Sequence, residues 1–397
     1  MESLKKECQE HHHHSIEPSE RALMMALKRV WVRGVGSYVP QRVITNDELS
    51  QTLDTSDEWI YTRTGIRQRH VAADGELTSD LAVNAAQKAL ENAGVEACEI
   101  DLIILATTTA DHVFPATATR VQQRLGTQGA AFDMNAVCGG FLFALATAEA
   151  YLKTGLAKRA LVIGAETMTR LLDWQDRTTA VLFGDGAGAF VLEGARDTSS
   201  SSHNTEPLSP TLFLPPLKGD GGESHLKHPE KQSVEKAAQD GSRYLEPGPC
   251  LKHRGFLGHV LKTDGRGYEE LYVNGGVGCG KIGTIQMNGR QVFKRAVQEL
   301  VAVSRDILEK YQIKSEDIDH VVPHQANKRI IEAVLSRLNI SPQKAYLNVD
   351  RYANTSAASI PIAFDEAVSK GIIQRGELVL MQAFAAGFAW GASVLRF

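Results

Sequence analysis

Long apolar runs are missing from this chain. None approaches the ~20 residues needed to cross a bilayer, so no segment reads as a membrane span. Cysteine is scarce: Cys8, Cys98, Cys138, Cys250 and Cys279 are odd in number, scattered and without CxxC spacing. That pattern excludes a disulfide framework or a zinc site and points to a reduced, cytoplasmic setting. Neither sign of charge dominates, since 43 Lys and Arg stand against 47 Asp and Glu for a net charge of −4. No global field favours nucleic acid or a membrane surface, and an anionic partner must be held by a local basic patch. The basic-then-apolar order of a signal peptide is also lacking. The polar opening, with His11 to His14, reads as a flexible leader over residues 1–29 and not as a metal site.

What is present is an ordinary globular composition, 43% hydrophobic over 397 residues, enough for one large core or two domains. Strand and helix signals alternate over residues 30–196 and again over 255–397. Between them, residues 197–254 hold the serines Ser199 to Ser202 and seven of the thirteen prolines, without an apolar period. Such a stretch reads as a surface insertion.

The two flanking parts repeat one another. Ala89–Val95 leads through Ile100-Asp101 into the apolar Leu102-Ile103-Ile104-Leu105, and Ile307–Ile313 leads at the same spacing through Ile318-Asp319 into His320-Val321-Val322-Pro323. Phe132-Asp133-Met134-Asn135 before Cys138 resembles Tyr346-Leu347-Asn348-Val349 before Asn354, and Lys153-Thr154-Gly155 resembles Ser369-Lys370-Gly371. Matches in one order indicate duplication. The expectation is an α/β fold of two strand–helix–strand–helix halves, with parallel strands, helical crossovers and chemistry beyond the carboxyl ends of the strands.

Three residues fall there. Cys138, in Asn135-Ala136-Val137-Cys138-Gly139-Gly140-Phe141, precedes a helix of small residues. Unpaired N–H groups and the helix dipole lower a thiol pKa, which predicts a reactive thiolate; a small buried core cysteine is the other reading. His324, in Pro323-His324-Gln325-Ala326-Asn327, lies just past a strand and is either a donor or general base or a structural histidine. Asn354, in Asn354-Thr355-Ser356-Ala357-Ala358-Ser359, offers two donors to a developing oxyanion, or a helix cap. The repeat places Asn354 where the first half has Cys138.

These motifs, with Asp57-Glu58-Trp59-Ile60, Arg63-Thr64-Gly65-Ile66-Arg67 and Phe183-Gly184-Asp185-Gly186-Ala187-Gly188, resemble those of the β-ketoacyl-acyl-carrier-protein synthase III family, in the thiolase superfamily. The resemblance implies a thiolase-like fold, with duplicated βαβαβ halves in layers αβαβα, and a condensing acyltransferase that starts fatty-acid synthesis. In it Cys138 takes an acyl group from acyl-CoA, and His324 with Asn354 stabilises the enolate formed as malonyl carrier protein loses CO2. The N–H groups of Cys138 and Gly387 would hold the second oxyanion. Family positions for CoA fall on Trp59, Arg63, Arg177, Phe293 and Asn327. Phe114 matches the residue by which a partner subunit closes the acyl pocket, implying a homodimer and a short primer. The CoA thioester is a substrate, and no cofactor is implied. An acidic carrier protein would dock on Lys294, Arg295, Lys328 and Arg329, unless these are ordinary solvated helix faces.

The sequence departs from the family at Ala385-Ala386, where glycines are usual, and at Tyr352-Ala353 before Asn354. Either change could narrow the acyl pocket. A related synthase of a secondary pathway and a non-catalytic acyl-binding scaffold stay open as alternatives.

Overall fold

The computed structural model describes residues 29–194 and 254–397. The proposed leader and insertion lie outside the described residues, save Arg29 and Arg254. The first half supplies β1 (Val30–Tyr38), an antiparallel pair β2 (Arg42–Thr45) and β3 (Gln68–Val71), then β4 (Leu102–Ala106), β5 (Ala130–Met134), β6 (Arg159–Thr167) and β7 (Asp185–Gly194). The second half supplies β8 (Gly255–Thr263), the pair β9 (Leu271–Val273) and β10 (Ile285–Met287), then β11 (His320–Pro323), β12 (Leu378–Ala385) and β13 (Ala389–Arg396).

One sheet runs β1-β7-β6-β4-β5 and the other β8-β13-β12-β11, so the two orders match strand for strand. The fifth strand of the second sheet is reduced to one parallel bridge, Val321 to Ala345, with Tyr346 N–H donating to Val321 O at 2.9 Å. The sheets are mixed, which corrects the expectation of parallel strands: β4, β5 and β6 are parallel, but β1 and β6 each run antiparallel to β7. The second half repeats this with β13 antiparallel to both β12 and β8. The physical reason is the connection between β12 and β13, a three-residue turn too short for the crossover that parallel neighbours require.

Strand alternation sorts the side chains into layers. Leu102 and Ile104 point to the central core, Ile103 and Leu105 to the outer one. The central core holds Phe141, Leu145 and Leu152 of the helix Gly140–Thr154 with Ile360, Phe364 and Ala367 of the helix Ser359–Ser369, between the two sheets. Edge-on aromatic pairs run through it from Phe141 to Phe190, Phe364 and Phe397, with centroids 4.9–5.0 Å apart. Outside, the helix Thr78–Ala93 covers the first sheet, and the helices Gly289–Lys310 and Lys328–Leu338 cover the second.

The repeated Ile-Asp dipeptide now has a cause. Asp101 carboxylate accepts from Lys158 and Arg159 N–H at the start of β6, and Asp319 carboxylate accepts from Leu378 N–H at 2.7 Å at the start of β12. Each aspartate ties the beginning of one parallel strand to the next.

Candidate active site

Both central helices are entered through the same turn. Asn135 Oδ1 accepts from Val137 N–H at 3.2 Å, and Asn354 Oδ1 accepts from Ser356 N–H at 2.8 Å. Val137 and Ser356 both adopt left-handed backbone, with φ of 48° and 50°, and each begins a 3-10 turn that runs into its helix. Asn354 therefore matches Asn135, and Cys138 matches Ala357, which corrects the equivalence of Asn354 with Cys138. A helical turn, Val349–Tyr352, sits in the second half ahead of the asparagine and shifts the register.

Ala353 ends that extra turn with φ 56° and ψ −155°, a region nearly reserved for glycine. The segment is held by Glu366, which accepts from Asn348, Arg351 and Lys370. Burial opposes its ionisation, but these donors outweigh burial and pull the Glu366 carboxyl down to about 2. Strain at Ala353 costs ~1–3 kcal/mol, so Ala353→Gly should stabilise the protein by about 1 kcal/mol after the entropy cost of glycine. A thermal melt should then show a Tm raised by ~1 °C. A lowered Tm would rule out strain at this residue.

Cys138, His324 and Asn354 line one cavity of about 470 Å³, together with Arg63, Phe293, Asn327 and Arg329. Cys138 also borders a second cavity of about 1170 Å³, lined by Asn135, Phe183, Tyr268, Leu271, Ala386 and Gly387. The thiol thus stands where two chambers meet, on the turn beyond the carboxyl end of β5. Ala385 packs against it, while Ala386 lines the larger chamber beside Cys138. Gly387, at φ 127°, lies in the turn between β12 and β13, where the Gly387–Phe388 peptide is cis.

The electrostatics depart from expectation at Cys138. Burial pushes its thiol up to about 12; a Ser356 hydrogen bond works against this, and the Glu166 charge adds to it. The helix start does not leave a resting thiolate, because Cys138 is only 6% exposed and the Glu166 charge disfavours a second anion there. Losing the proton to water at neutral pH would cost on the order of 7 kcal/mol.

His324 extends the ladder of β11, its N–H donating to Gln382 O at 2.8 Å. Burial lowers its pKa to about 3, so the imidazole is neutral. Its Nδ1 lies 2.6 Å from Ser359 Oγ. A hydroxyl donating to Nδ1 leaves the Nε2–H as a donor. Asn354 is fixed on both sides, its N–H donating to Leu182 O at 2.9 Å and its carbonyl accepting from Gly184 at 3.1 Å. With Oδ1 engaged by its own turn, the Nδ2 amide hydrogens are left for a ligand. Two neutral donors and a thiol on one cavity suit an anionic oxygen held beside a sulfur.

Of the residues expected at CoA, Arg63, Phe293 and Asn327 line this cavity, and Asn327 Nδ2 donates to Arg63 O at 3.0 Å. Trp59 and Arg177 lie outside the lining but join it through Arg63: both guanidiniums cover the Trp59 ring, at 4.5 Å for Arg63 and 5.3 Å for Arg177. Of the basic residues, Arg329 lines the mouth and covers Phe293, Lys328 lies 3.7 Å from Glu332, and Lys294 is exposed. Arg295 is drawn away into ion pairs with Asp264 at 2.9 Å and Glu299 at 3.4 Å. Phe114 is 83% exposed and absent from both linings, though its neighbour Val113 borders the larger. Among the described residues no group of His, Cys, Asp and Glu could hold a metal ion, and no helix is long and apolar enough to cross a membrane.

Sequence reasoning missed Glu166, Ser356, Ser359 and Gln325. Gln325 staples the Asn354 segment, its amide accepting from Asn348 N–H at 3.0 Å and donating to Tyr346 O at 3.2 Å. Ser356 and Ser359 were within the Asn354 motif but carried no signal of partner. Glu166, a lone acid ending the apolar strand β6, was the one visible clue.

Two family models match the chain: 3-oxoacyl-[acyl-carrier-protein] synthase III over residues 132–206 and its C-terminal part over 308–397. A β-ketoacyl-[acyl-carrier-protein] synthase III of Hyphomonas neptunium is 48% identical over 371 residues, covering 93% of this chain and 99% of the relative. The crystal structure of the Aquifex aeolicus 3-oxoacyl-[acyl-carrier-protein] synthase III superposes with TM-score 0.75 at 39% identity, covering 93% and 100%. A priming β-ketosynthase of a polyketide biosynthetic pathway superposes with TM-score 0.74 at 30% identity, covering 93% and 96%. The layered thiolase fold, the two matching turns and this likeness over nearly the whole length lead to one conclusion: the chain belongs to the β-ketoacyl-acyl-carrier-protein synthase III family of condensing acyltransferases.

Proposed function

We propose that this enzyme condenses a short acyl-CoA, acetyl-CoA foremost, with malonyl-acyl-carrier protein to give 3-oxoacyl-acyl-carrier protein, CoA and CO2, starting fatty-acid biosynthesis. The observation that carries the reading is the shared cavity of Cys138, His324 and Asn354. Cys138 sulfur attacks the thioester carbonyl and CoA leaves as its thiolate. The acyl group then extends into the larger chamber, where Ala386 and Gly387 meet it, and the N–H groups of Cys138 and Gly387 hold the oxyanion. Malonyl carrier protein enters by the smaller cavity, and His324 Nε2–H and Asn354 Nδ2–H take the negative charge of its thioester oxygen as CO2 departs. The enolate carbon attacks the acyl-cysteine and the sulfur is released. No cofactor takes part, since the CoA thioester is itself the activated substrate.

CoA would lie along Phe293, Asn327 and Arg63, with its base against Trp59 once Arg63 or Arg177 swings off the ring. The acidic carrier protein would dock on Lys294, Lys328 and Arg329, with Arg295 contributing less because Asp264 and Glu299 already hold it. A homodimer is favoured by β5, an edge strand with one side unpaired among the described residues, and by the exposed Phe114, which would reach the partner's acyl chamber. The balanced charge and scarce cysteine favour a cytoplasmic setting.

Intact-protein mass spectrometry with acetyl-CoA, then malonyl carrier protein, tests this. Wild type should gain one acetyl group and discharge it as acetoacetyl carrier protein, and Cys138→Ala should gain none. The second reading, a priming synthase of another pathway, is favoured by the alanines at the nucleophile; there a longer or branched acyl-CoA would load in place of acetyl. Failure of every acyl-CoA to label Cys138 would sink both.

A further inference from the structure

Arg69, on β3, lines neither cavity and takes no part in the steps above, yet its side chain is fully buried. Among the described residues no carboxylate pairs with it, and its Nε finds no hydrogen-bond partner. Burial alone draws its pKa down to about 10, so it remains a cation at neutral pH. A lone buried cation is a poor source of stability, because little offsets the water it has lost. What a planar guanidinium supplies instead is a rigid fork of donors.

The fork joins two distant parts of the chain. Nη1 donates to Asn46 Oδ1 at 2.9 Å and to Ile44 O at 3.2 Å, at the end of β2, and Nη2 donates to Val181 O at 2.8 Å. The Asn46 side is itself fixed. Its Nδ2 donates to Ile66 O at 2.7 Å and to Asp57 Oδ1 at 2.9 Å, and its N–H to Arg67 O at 3.0 Å. Val181 opens the segment Val181–Gly184, which grips Asn354 from both sides. Leu182 O accepts the Asn354 N–H, Gly184 N–H donates to the Asn354 carbonyl, and Phe183 pairs with Asn354 as an isolated parallel bridge. The far end of the segment is tied at Asp185, whose carboxylate accepts from Ala72 N–H at 2.8 Å, so Arg69 is the tie at the near end. Its stem backs the segment as well: a methyl group added at Gly184 would stand 3.2 Å from Arg69 Cβ and 2.7 Å from Tyr352 O. With Asn354 Oδ1 engaged by Ser356 N–H, the direction of the Nδ2 hydrogens follows from where this backbone stands.

Resting on the reading of Asn354 as an oxyanion donor, we propose that Arg69 is the positioning residue for Asn354. Its fork on Val181 O holds the Val181–Gly184 segment, and through it the amide donor, where the malonyl thioester oxygen gains charge. The role is confined to the second half of the reaction. Cys138 and Gly387 stand on other turns, and His324 is set by β12 and Ser359, so acylation does not pass through Arg69. A lysine in its place reaches one acceptor where the guanidinium spans three, which leaves the near end of the segment free to drift. An ångström of drift at a catalytic donor costs up to ~10²-fold in rate.

The test compares two single-turnover rates in Arg69→Lys: acetylation of Cys138 by acetyl-CoA, followed by intact mass, and decarboxylation of malonyl carrier protein by the acetylated enzyme. Decarboxylation should fall about tenfold while acetylation stays within about twofold of wild type. In an Asn354→Ala background, Arg69→Lys should cost nothing further, because its effect runs through the missing amide. A merely structural arginine would behave otherwise, lowering both rates together and lowering decarboxylation again without Asn354. Either of those results would overturn the proposal. Should Arg69→Lys fail to fold by thermal melt, Arg69→Gln, which leaves no charge in the interior, carries the same comparison. A wild type that is labelled by no acyl-CoA and decarboxylates nothing would sink the functional reading and the Arg69 role with it. An active wild type with equal losses in the variant would sink the Arg69 role alone.

Discussion

His324→Ala should lower 3-oxoacyl formation by about 10²–10³-fold, the usual effect of deleting one preorganised oxyanion donor, while Cys138 still accepts the acyl group at close to its normal rate. The separation follows from geometry. His324 is held neutral by burial and fixed by Ser359, and its remaining N–H is a donor toward the cavity it shares with Asn354. A donor of this kind acts when negative charge grows on the malonyl thioester oxygen, and contributes little to thioester attack by the cysteine. Single-turnover acylation and malonyl decarboxylation, measured separately on the variant, check it. A parallel loss in both steps would show that His324 takes part in activating the thiol. With a pKa near 3, the imidazole should also add no inflection to the condensation rate between about pH 5 and 8.

Gly164→Ala should destabilise the protein by ~3 kcal/mol or more and remove most condensation. Gly164 sits on β6 directly against the turn that carries Asn354. A methyl group there would stand 2.3 Å from Ala357 O, 2.8 Å from Ala357 C and 3.2 Å from Ala358 N. These are backbone atoms of a turn anchored to Gly184 and Leu182 through Asn354, so they cannot yield as a flexible side chain would. The predicted loss corresponds to a Tm lower by ~4 °C for a chain of this size. Gly194→Ala is the control, because among the described residues its added methyl meets nothing closer than 3.6 Å. Equal melting of the two variants would show that the turn can move.

Much of this was legible in the chain. The doubled Ile-Asp dipeptide marks strands that each aspartate ties to the next, and the apolar runs after them supply two cores by alternation. Cys138, His324 and Asn354 stood out because the repeat and the family resemblance set all three at strand ends, although each alone also admitted a structural reading. Register was not legible. The extra turn Val349–Tyr352 made Asn354 look like the counterpart of Cys138, and the matching asparagine at 135 emerged only when both positive-φ turns were seen.

The sequence by itself determined the class of the molecule: a duplicated α/β chain with a cysteine, a histidine and an asparagine at the ends of its strands. Those features are local, written in periodicity and in residue chemistry. Tertiary structure alone decided the state of the nucleophile. Whether Cys138 is a thiolate depends on burial, on Ser356 far along the chain and on the charge of Glu166 in a different strand, none of which a local pattern encodes. A pKa is set by what lies within a few ångströms in space, and folding brings together there residues that the sequence keeps far apart.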